Sequence, residues 1–182
     1  MGERKEMGEQ IERLIKKYRI QLMDDGRLKI NGMDPKKNKD DYGFIRENKP
    51  EFVRCIEEQK RKEKEAYEAR QAKIAAIEGL ELLEQTATEW EQYYAEWNRL
   101  IENDGIGKTP NKPEFELDEL KKKYPRAAAY MKAESWQLAS HYAKATAGTH
   151  GLERIIEGED YEQVLCDMEA EWDAHVKEHM WD

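Results

Sequence analysis

The sequence has few of the features that mark secreted proteins, membrane proteins or redox enzymes. Its two cysteines, Cys55 and Cys166, form no CxxC pair, so we expect two free thiols in a reducing compartment. No run approaches the roughly 20 apolar residues of a membrane span. The first six residues, MGERKE, contain no apolar signal-peptide region. These absences predict a soluble, cytoplasmic protein.

Apolar residues are also scarce, at 38% of the chain against 39% charged residues, and the mean hydropathy is −1.06. Ordinary domains are about 45–50% apolar and about 25% charged, so one large core is not expected. Five Trp and nine Tyr nevertheless argue against disorder, because disordered chains contain few aromatics. The composition favours helices with extensive solvated surface, and therefore a mostly α protein.

The net charge of −9 is unevenly distributed. Residues 1–73 carry 20 Lys and Arg against 16 Asp and Glu, whereas residues 74–182 carry 11 against 24. An acidic C-terminal region repels nucleic acid and attracts basic protein surfaces, so we do not expect direct nucleic-acid contact. The same acids are also typical of an ordinary solvated helix face.

The pattern over residues 1–58 predicts a small αββαα module. An apolar stripe at helical spacing ends near Tyr18, and two short alternating runs then flank Asp24-Asp25-Gly26. Acids and glycine between alternating runs indicate a hairpin. A short helix follows, and Pro50, at a first helical position, opens the next one. We expect this module to pack its hairpin against its helices.

Residues 59–79 predict a charged helical spacer, because the stretch from 57 to 65 has no apolar stripe. Gly79 leaves open whether this helix is continuous with the next. Residues 80–182 predict an acidic helical bundle. Within it we expect a long helix from Pro125 that ends at Gly148 and Gly151, and a last helix with Asp160 and Gln163 near its start as an approximate capping box.

The clearest periodicity begins at Leu80, where apolar residues recur at alternating spacings of three and four. Such a seam is typical of core packing or of self-association, and its large aromatics suit a bundle interior or a partner groove. The positions that would support a homodimer are Leu83, Trp90, Tyr94, Trp97 and Ile101.

Catalysis is not expected. His175 to His179 matches the H-x-x-E-H pattern of zinc peptidases, in which two histidines hold the metal. A catalytic zinc needs a third protein ligand, and no upstream residue is marked by its spacing. Two histidines on an acidic helix are usually surface residues, so we expect no cofactor, and metal binding by the pair stays an open question.

Two segments resemble known families. LIKKYRIQLMDDGRLKI and IRENKPEFVRCI, within Ile11 to Ile56, resemble the αββαα docking module of bacterial megasynthases, which mediates protein–protein contact. Lys122 to Trp172 is similar to proteins carried by prophages and plasmids of gut Clostridia, among them type II-A anti-CRISPR proteins. That resemblance implies a phage or mobile-element Cas9 inhibitor in the bacterial cytoplasm; the alternative is a prophage adaptor with no CRISPR target.

The resemblance implies binding to the Cas9–guide RNA complex, a partner with a positively charged channel. Acidic residues of the last helix and the turn before it are the candidates for contact with such a basic surface. They are Glu159, Asp160, Glu162, Asp167, Glu169, Glu171 and Asp173.

Overall fold

A computed structural model describes residues 2–103 and 105–179, with side chains from residue 6 onward. The chain divides into two compact units, residues 1–69 and residues 70–182. Eight helices and one two-stranded sheet account for the regular structure of the described residues, which confirms a mostly α protein. No described helix is both long and apolar enough to cross a membrane.

The first unit has the predicted αββαα order. A short hairpin separates one long helix from the two that follow. The bounds are α1 (Gly2–Tyr18), β1 (Gln21–Leu22), β2 (Leu28–Lys29), α2 (Lys39–Glu47) and α3 (Lys49–Ala75), whose last turns belong to the second unit.

The hairpin forms because its turn residues satisfy one another locally. Gly26 has a φ of 75°, a left-handed conformation that side chains disfavour. The Asp25 carboxylate accepts hydrogen bonds from the backbone N–H of Arg27 at 3.0 Å and from its Nε at 2.6 Å. Leu22 then pairs with Leu28 across the two strands. Both leucines pack on the core of the unit, which gives the short hairpin its support.

The core of the first unit is apolar, with one buried tyrosine whose hydroxyl reaches its edge. Phe52 and Leu14 are fully buried, and Phe44 meets Phe52 edge to face with ring centroids 6.2 Å apart. The Tyr18 hydroxyl donates a 2.6 Å hydrogen bond to the Asp41 carboxylate, which satisfies the polar end of the buried ring.

The second unit is a helical bundle, as predicted. Its elements are α4 (Leu80–Glu102), α5 (Leu117–Lys123), α6 (Pro125–Gln137), α7 (Tyr142–Glu157) and α8 (Tyr161–His179). The most extensive packing joins α6 to α7 and α7 to α8. Leu83, Ile155 and Val164 are fully buried at its centre.

The predicted spacer, residues 59–79, divides between the two units. Its helix ends at Ala75, and α4 begins at Leu80. Gly79 lies between them with a φ of 77° and faces the ring of Tyr124. Ile74 and Ile77 pack in the core of the second unit, so the end of the predicted spacer is part of that bundle.

The prediction that Gly148 and Gly151 end a helix is wrong. The helix from Pro125 ends at Gln137, and α7 runs through both glycines to Glu157. A β-carbon on Gly148 would lie 2.6 Å from the backbone carbon of Trp136, and one on Gly151 would lie 2.7 Å from Cγ of Met168. These glycines therefore permit close approach of α6 and α8 to α7, a use that sequence pattern does not separate from helix termination.

The start of α8 agrees in part with the predicted capping box. The Asp160 carboxylate accepts hydrogen bonds from the backbone N–H groups of Glu162 at 2.9 Å and Gln163 at 3.3 Å. The Gln163 side chain donates forward to Asp167 instead of back toward Asp160. The helix thus has a capping aspartate without the reciprocal half of the box.

Candidate functional site

The seven predicted partner-binding acids occupy one stretch of the second unit, from the turn after α7 through the first four turns of α8. We call them the acidic surface. All are exposed except Asp167, which is half-buried. They are Glu159, Asp160, Glu162, Asp167, Glu169, Glu171 and Asp173.

Arg154 of α7 neutralises part of this surface. Its Nε donates to Glu159 at 2.8 Å, and a terminal nitrogen donates to Asp167 at 2.8 Å. The Arg154 hydrogen bond, followed by the one from Gln163, holds the pKa of Asp167 below its usual value. Glu159 and Asp167 therefore already have a cationic partner within the unit.

Two further acids also have partners within the unit. Lys132 of α6 pairs with Glu169 at 2.5 Å, and the carboxylate of Asp160 caps α8. Glu171 lies 3.8 Å from Nδ1 of His150, an ion pair only when that imidazole is protonated. Pairs this exposed contribute little to stability and can exchange partners.

Glu162 and Asp173 form no ion pair with any described side chain. Together with Glu171, they are the members of the acidic surface whose charge is least compensated inside the unit. A surface carboxylate without a partner is already solvated, and a cationic group that approaches it displaces no existing ion pair. Of the seven predicted contact residues, these three therefore have the least compensated charge within the unit.

A second surface lies on the latter half of α4, where aromatic rings cluster without a covering helix in the described chain. Trp90, Tyr93, Tyr94 and Trp97 have neighbouring ring centroids 5.3–6.3 Å apart. Tyr94 is 58% exposed, and Ile101, one turn beyond Trp97, is 68% exposed. We call these five residues the aromatic surface.

The five predicted self-association positions therefore fall into two groups, one buried in the core and one on the aromatic surface. Leu83 is fully buried and belongs to the core of the unit. Trp90, Tyr94, Trp97 and Ile101 lie on the aromatic surface. Tyr93 also belongs there although it is outside the predicted spacing; its position three residues after Trp90 was the signal that could have identified it.

Contacts from the following loop hold one end of the aromatic surface. Trp90 Nε1 donates a 2.9 Å hydrogen bond to the carbonyl of Phe115. The Lys112 ammonium lies 5.5 Å from the centroid of the Trp90 ring. A fixed indole with exposed neighbours is typical of a contact surface, since rigid aromatics lose little entropy on binding.

Three histidines meet where α7 begins and α8 ends. The His141 ring centroid lies 5.1 Å from that of His175 and 4.8 Å from that of Trp172, and His175 lies 4.6 Å from His179. The sequence marked only the His175/His179 pair. His141 is 34 residues upstream, and no local pattern connects it to them.

Within residues 6–103 and 105–179, no group of three or more His, Cys, Asp or Glu side chains could hold a metal ion. The functional candidates of the second unit are thus an acidic surface, an aromatic surface and a histidine cluster. Comparison with family models, with curated proteins and with solved structures finds no match.

Proposed function

We propose that this protein is a mobile-element inhibitor that binds the Cas9–guide RNA complex and blocks cleavage of target DNA by stoichiometric, non-enzymatic binding. The observation that carries the proposal is the group of three exposed carboxylates on α8 whose charge is least compensated within the unit, at Glu162, Glu171 and Asp173. The resemblance of Lys122 to Trp172 to type II-A anti-CRISPR proteins supplies the identity of the partner.

The chemistry of the two surfaces is complementary. Cas9 holds its guide–target heteroduplex in a positively charged channel and recognises the duplex through its backbone. Carboxylates on one helix present negative charge to such a basic surface. Their long-range attraction would speed encounter and weaken as salt rises, because exposed charges are screened within about 8–10 Å at physiological ionic strength. The site of action is then the cytoplasm of the bacterial host.

Charge reversal tests this proposal. The variant Glu162→Lys/Glu171→Lys/Asp173→Lys changes the formal net charge from −9 to −3. The matched control Glu57→Lys/Glu63→Lys/Glu65→Lys makes the same change on exposed positions of α3, and it also includes one paired acid, since Glu65 contacts Arg61 at 3.2 Å. Both are assayed by co-elution with Cas9–guide RNA and by cleavage of a target duplex at several salt concentrations.

We expect the α8 variant to lose co-elution and inhibition while the α3 variant retains both, and wild-type inhibition to saturate at a fixed molar ratio to Cas9. Equal loss in the two variants would assign the effect to total charge instead of to the acidic surface. Full inhibition by a folded α8 variant would refute the surface as the contact. Absence of any Cas9 inhibition by wild-type protein would refute the function.

The αββαα unit favours the alternative, a prophage adaptor or docking protein with no CRISPR target. Its hairpin and three helices have their own core. The megasynthase-like module it resembles mediates protein–protein contact. This alternative predicts normal binding to a phage-encoded protein and no effect on target cleavage, so the cleavage assay separates the two functions.

Self-association through the aromatic surface is a separate part of the proposal. Trp90, Tyr94, Trp97 and Ile101 supply apolar area, with Tyr94 and Ile101 largely exposed. A helix that presents such a face can bury it against a second copy related by two-fold symmetry. Light scattering over a wide concentration range should report a mass above that of the 21.5 kDa monomer. A constant monomeric mass would exclude the homodimer.

A further inference from the structure

A groove lies at the corner where α3 turns into α4, within the second unit. Its volume of about 520 Å³ falls in the range of roughly 300–1,000 Å³ that is typical of ligand pockets. The backbone N–H of Ile77 donates to the carbonyl of Ile74 at 3.0 Å, and that of Leu80 donates to the carbonyl of Ile77 at 3.2 Å. These hydrogen bonds and the left-handed Gly79 hold the lining residues, all within 71–84, in one arrangement.

Four of the residues that line the groove are aliphatic. Ile77 and Leu80 are buried, whereas Ile74 and Leu82 are half-buried and pack against the core of the unit. An apolar side chain of a partner that entered the groove would cover the exposed parts of Ile74 and Leu82. Such contact is favourable in proportion to the apolar area that it removes from water.

Three glutamates line the same groove, Glu78, Glu81 and Glu84. None of the three forms an ion pair with another side chain of the described residues. Burial raises the pKa of the Glu84 carboxyl, and the neighbouring charges of Glu134 and Glu81 raise it further. The groove therefore combines apolar area with negative charge that has no contacting cation in the described chain.

The basic residues at the end of α3 do not offset this charge, because they pair with α7. Lys73 contacts Glu157 at 2.5 Å, and Arg70 contacts Glu153 at 2.8 Å. A cation that entered the groove would displace no ion pair of the three glutamates, and it would relieve the repulsion among them.

We propose that this groove binds a short basic amphipathic segment of another protein. An aliphatic side chain of the segment covers Ile74 and Leu82, and flanking Lys or Arg side chains pair with the glutamates of the groove. Apolar anchors on one face of a short segment, flanked by complementary charge, are a recurring mode of peptide recognition. The groove shares no residue with the acidic surface, so this proposal and Cas9 inhibition can fail independently.

Three fluorescein-labelled peptides test the proposal by fluorescence anisotropy with the full-length protein. KLLKLLK carries both features, ELLELLE reverses the charge, and KSSKSSK removes the apolar side chains. We expect saturable one-to-one binding of KLLKLLK that is at least about tenfold tighter than binding of either other peptide, because the groove offers both kinds of contact. Binding of ELLELLE or KSSKSSK as tight as that of KLLKLLK, or no saturable binding, would overturn the proposal.

Two variants of the groove separate its charge from its apolar area. Glu78→Gln/Glu81→Gln/Glu84→Gln should weaken KLLKLLK binding about tenfold, since three exposed charge contacts are together worth roughly that factor. Leu82→Ala should also weaken binding, while far-ultraviolet circular dichroism checks that the variant is folded. Unchanged affinity in either folded variant would refute the groove as the site.

The matched control Glu91→Gln/Glu96→Gln/Glu102→Gln removes three exposed acids further along α4. Like the triple variant of the groove, it changes the formal net charge from −9 to −6. It should bind KLLKLLK within about twofold of wild type, because these acids lie outside the proposed contact. Equal weakening in the two triple variants would assign binding to total charge. Loss of self-association in the groove variant would assign the groove to a second copy of this chain, and either result would overturn the proposal.

Discussion

The α6–α7 contact and the latter half of α4 use side-chain size in opposite ways. The buried positions of α6 and α7 include Ala127, Ala133, Ala147 and Gly148. On α4, rings as large as Trp90 and Tyr94 remain partly or largely exposed. Globular domains usually bury their large apolar residues first. The difference indicates that stability in this unit comes from close helix spacing, while much of the aromatic area is available for contact.

The close spacing of α6 and α7 depends on small side chains at their contact. Helices with ordinary side chains at their contact are about 8–10 Å apart, and small residues allow a nearer approach with more backbone contact. The aromatic surface of α4 has the reverse property, since its rings contact one another and the 112–115 loop while Tyr94 and Ile101 remain largely exposed. Substitutions should therefore affect folding at the first region and association at the second.

The largest effect is expected from Gly148→Ala. The new methyl group would overlap the backbone of α6 around Trp136, which has no flexible end to move aside. We expect the free energy of unfolding to fall by about 3 kcal/mol, at the upper end of typical overpacking. Urea unfolding followed by far-ultraviolet circular dichroism measures it.

Gly43→Ala is the control for that substitution, because a β-carbon at this helical position of α2 meets open space. It should raise stability by roughly 0.5–1 kcal/mol through helix propensity. Equal stability of the two variants would contradict the close-packing account of α6 and α7.

A smaller cost, about 1–2 kcal/mol, is expected for Gly151→Ala. Here the new methyl group meets the Met168 side chain, which is flexible and can rotate away. A double-mutant cycle with Met168→Ala should show coupling of about 1 kcal/mol, because the second substitution removes the overlapping atoms. The pair Gly148→Ala/Met168→Ala should be additive, and coupling of similar size there would remove the distinction between the two glycines.

The contribution of Asp167 to the free energy of unfolding should depend on pH. The pKa of Asp167 is lowered in the folded protein by Arg154 and then Gln163, so its ionised form stabilises the fold above the usual carboxyl pKa. This stabilisation is lost as pH falls from the usual carboxyl pKa through the lower pKa of the folded protein. Asp167→Asn should therefore lose less stability than wild type between pH 7 and pH 3. Asp173→Asn, which removes a surface acid that pairs with no side chain of the described residues, should follow the wild-type profile.

The smallest effect on folding is expected at the aromatic surface. Ile101→Ser should change stability by no more than about 0.5 kcal/mol, because the side chain is 68% exposed. It should nevertheless lower the self-association measured by sedimentation equilibrium. Leu138→Ser is the matched control, since Leu138 is 80% exposed but outside this surface, and it should alter neither quantity. A large loss of stability in Ile101→Ser would show that the surface is part of the fold.

Local chemistry explains which elements could be predicted from sequence. The hairpin of the first unit depends on Asp25 and Gly26, whose bonds and backbone angle involve only nearby residues. Gly148 could not be interpreted in the same way, because glycine both ends helices and permits close packing, and only the identity of the tertiary neighbour distinguishes the two.

The candidate sites also combine features that local sequence predicts with features that depend on tertiary packing. The acids of α8 could be identified from composition, but their pairing with Arg154 and Lys132 depends on how three helices meet. Likewise, helical spacing identified His175 and His179, whereas His141 joins them only through the α7–α8 contact. Sequence thus located the charged and aromatic groups, and packing determined which of them remain available.

Gly79 shows how mutational tolerance differs among glycines. At Gly26 only the backbone angle restricts substitution, and at Gly148 only space does. Gly79 carries both restrictions, with a φ of 77° and Cδ1 of the Tyr124 ring 2.5 Å from where a β-carbon would lie. Shrinking Tyr124 would therefore remove one restriction and leave the other. In a saturation library of this chain, position 79 should retain glycine more strictly than positions 26 and 148, and no single second-site change should restore tolerance there.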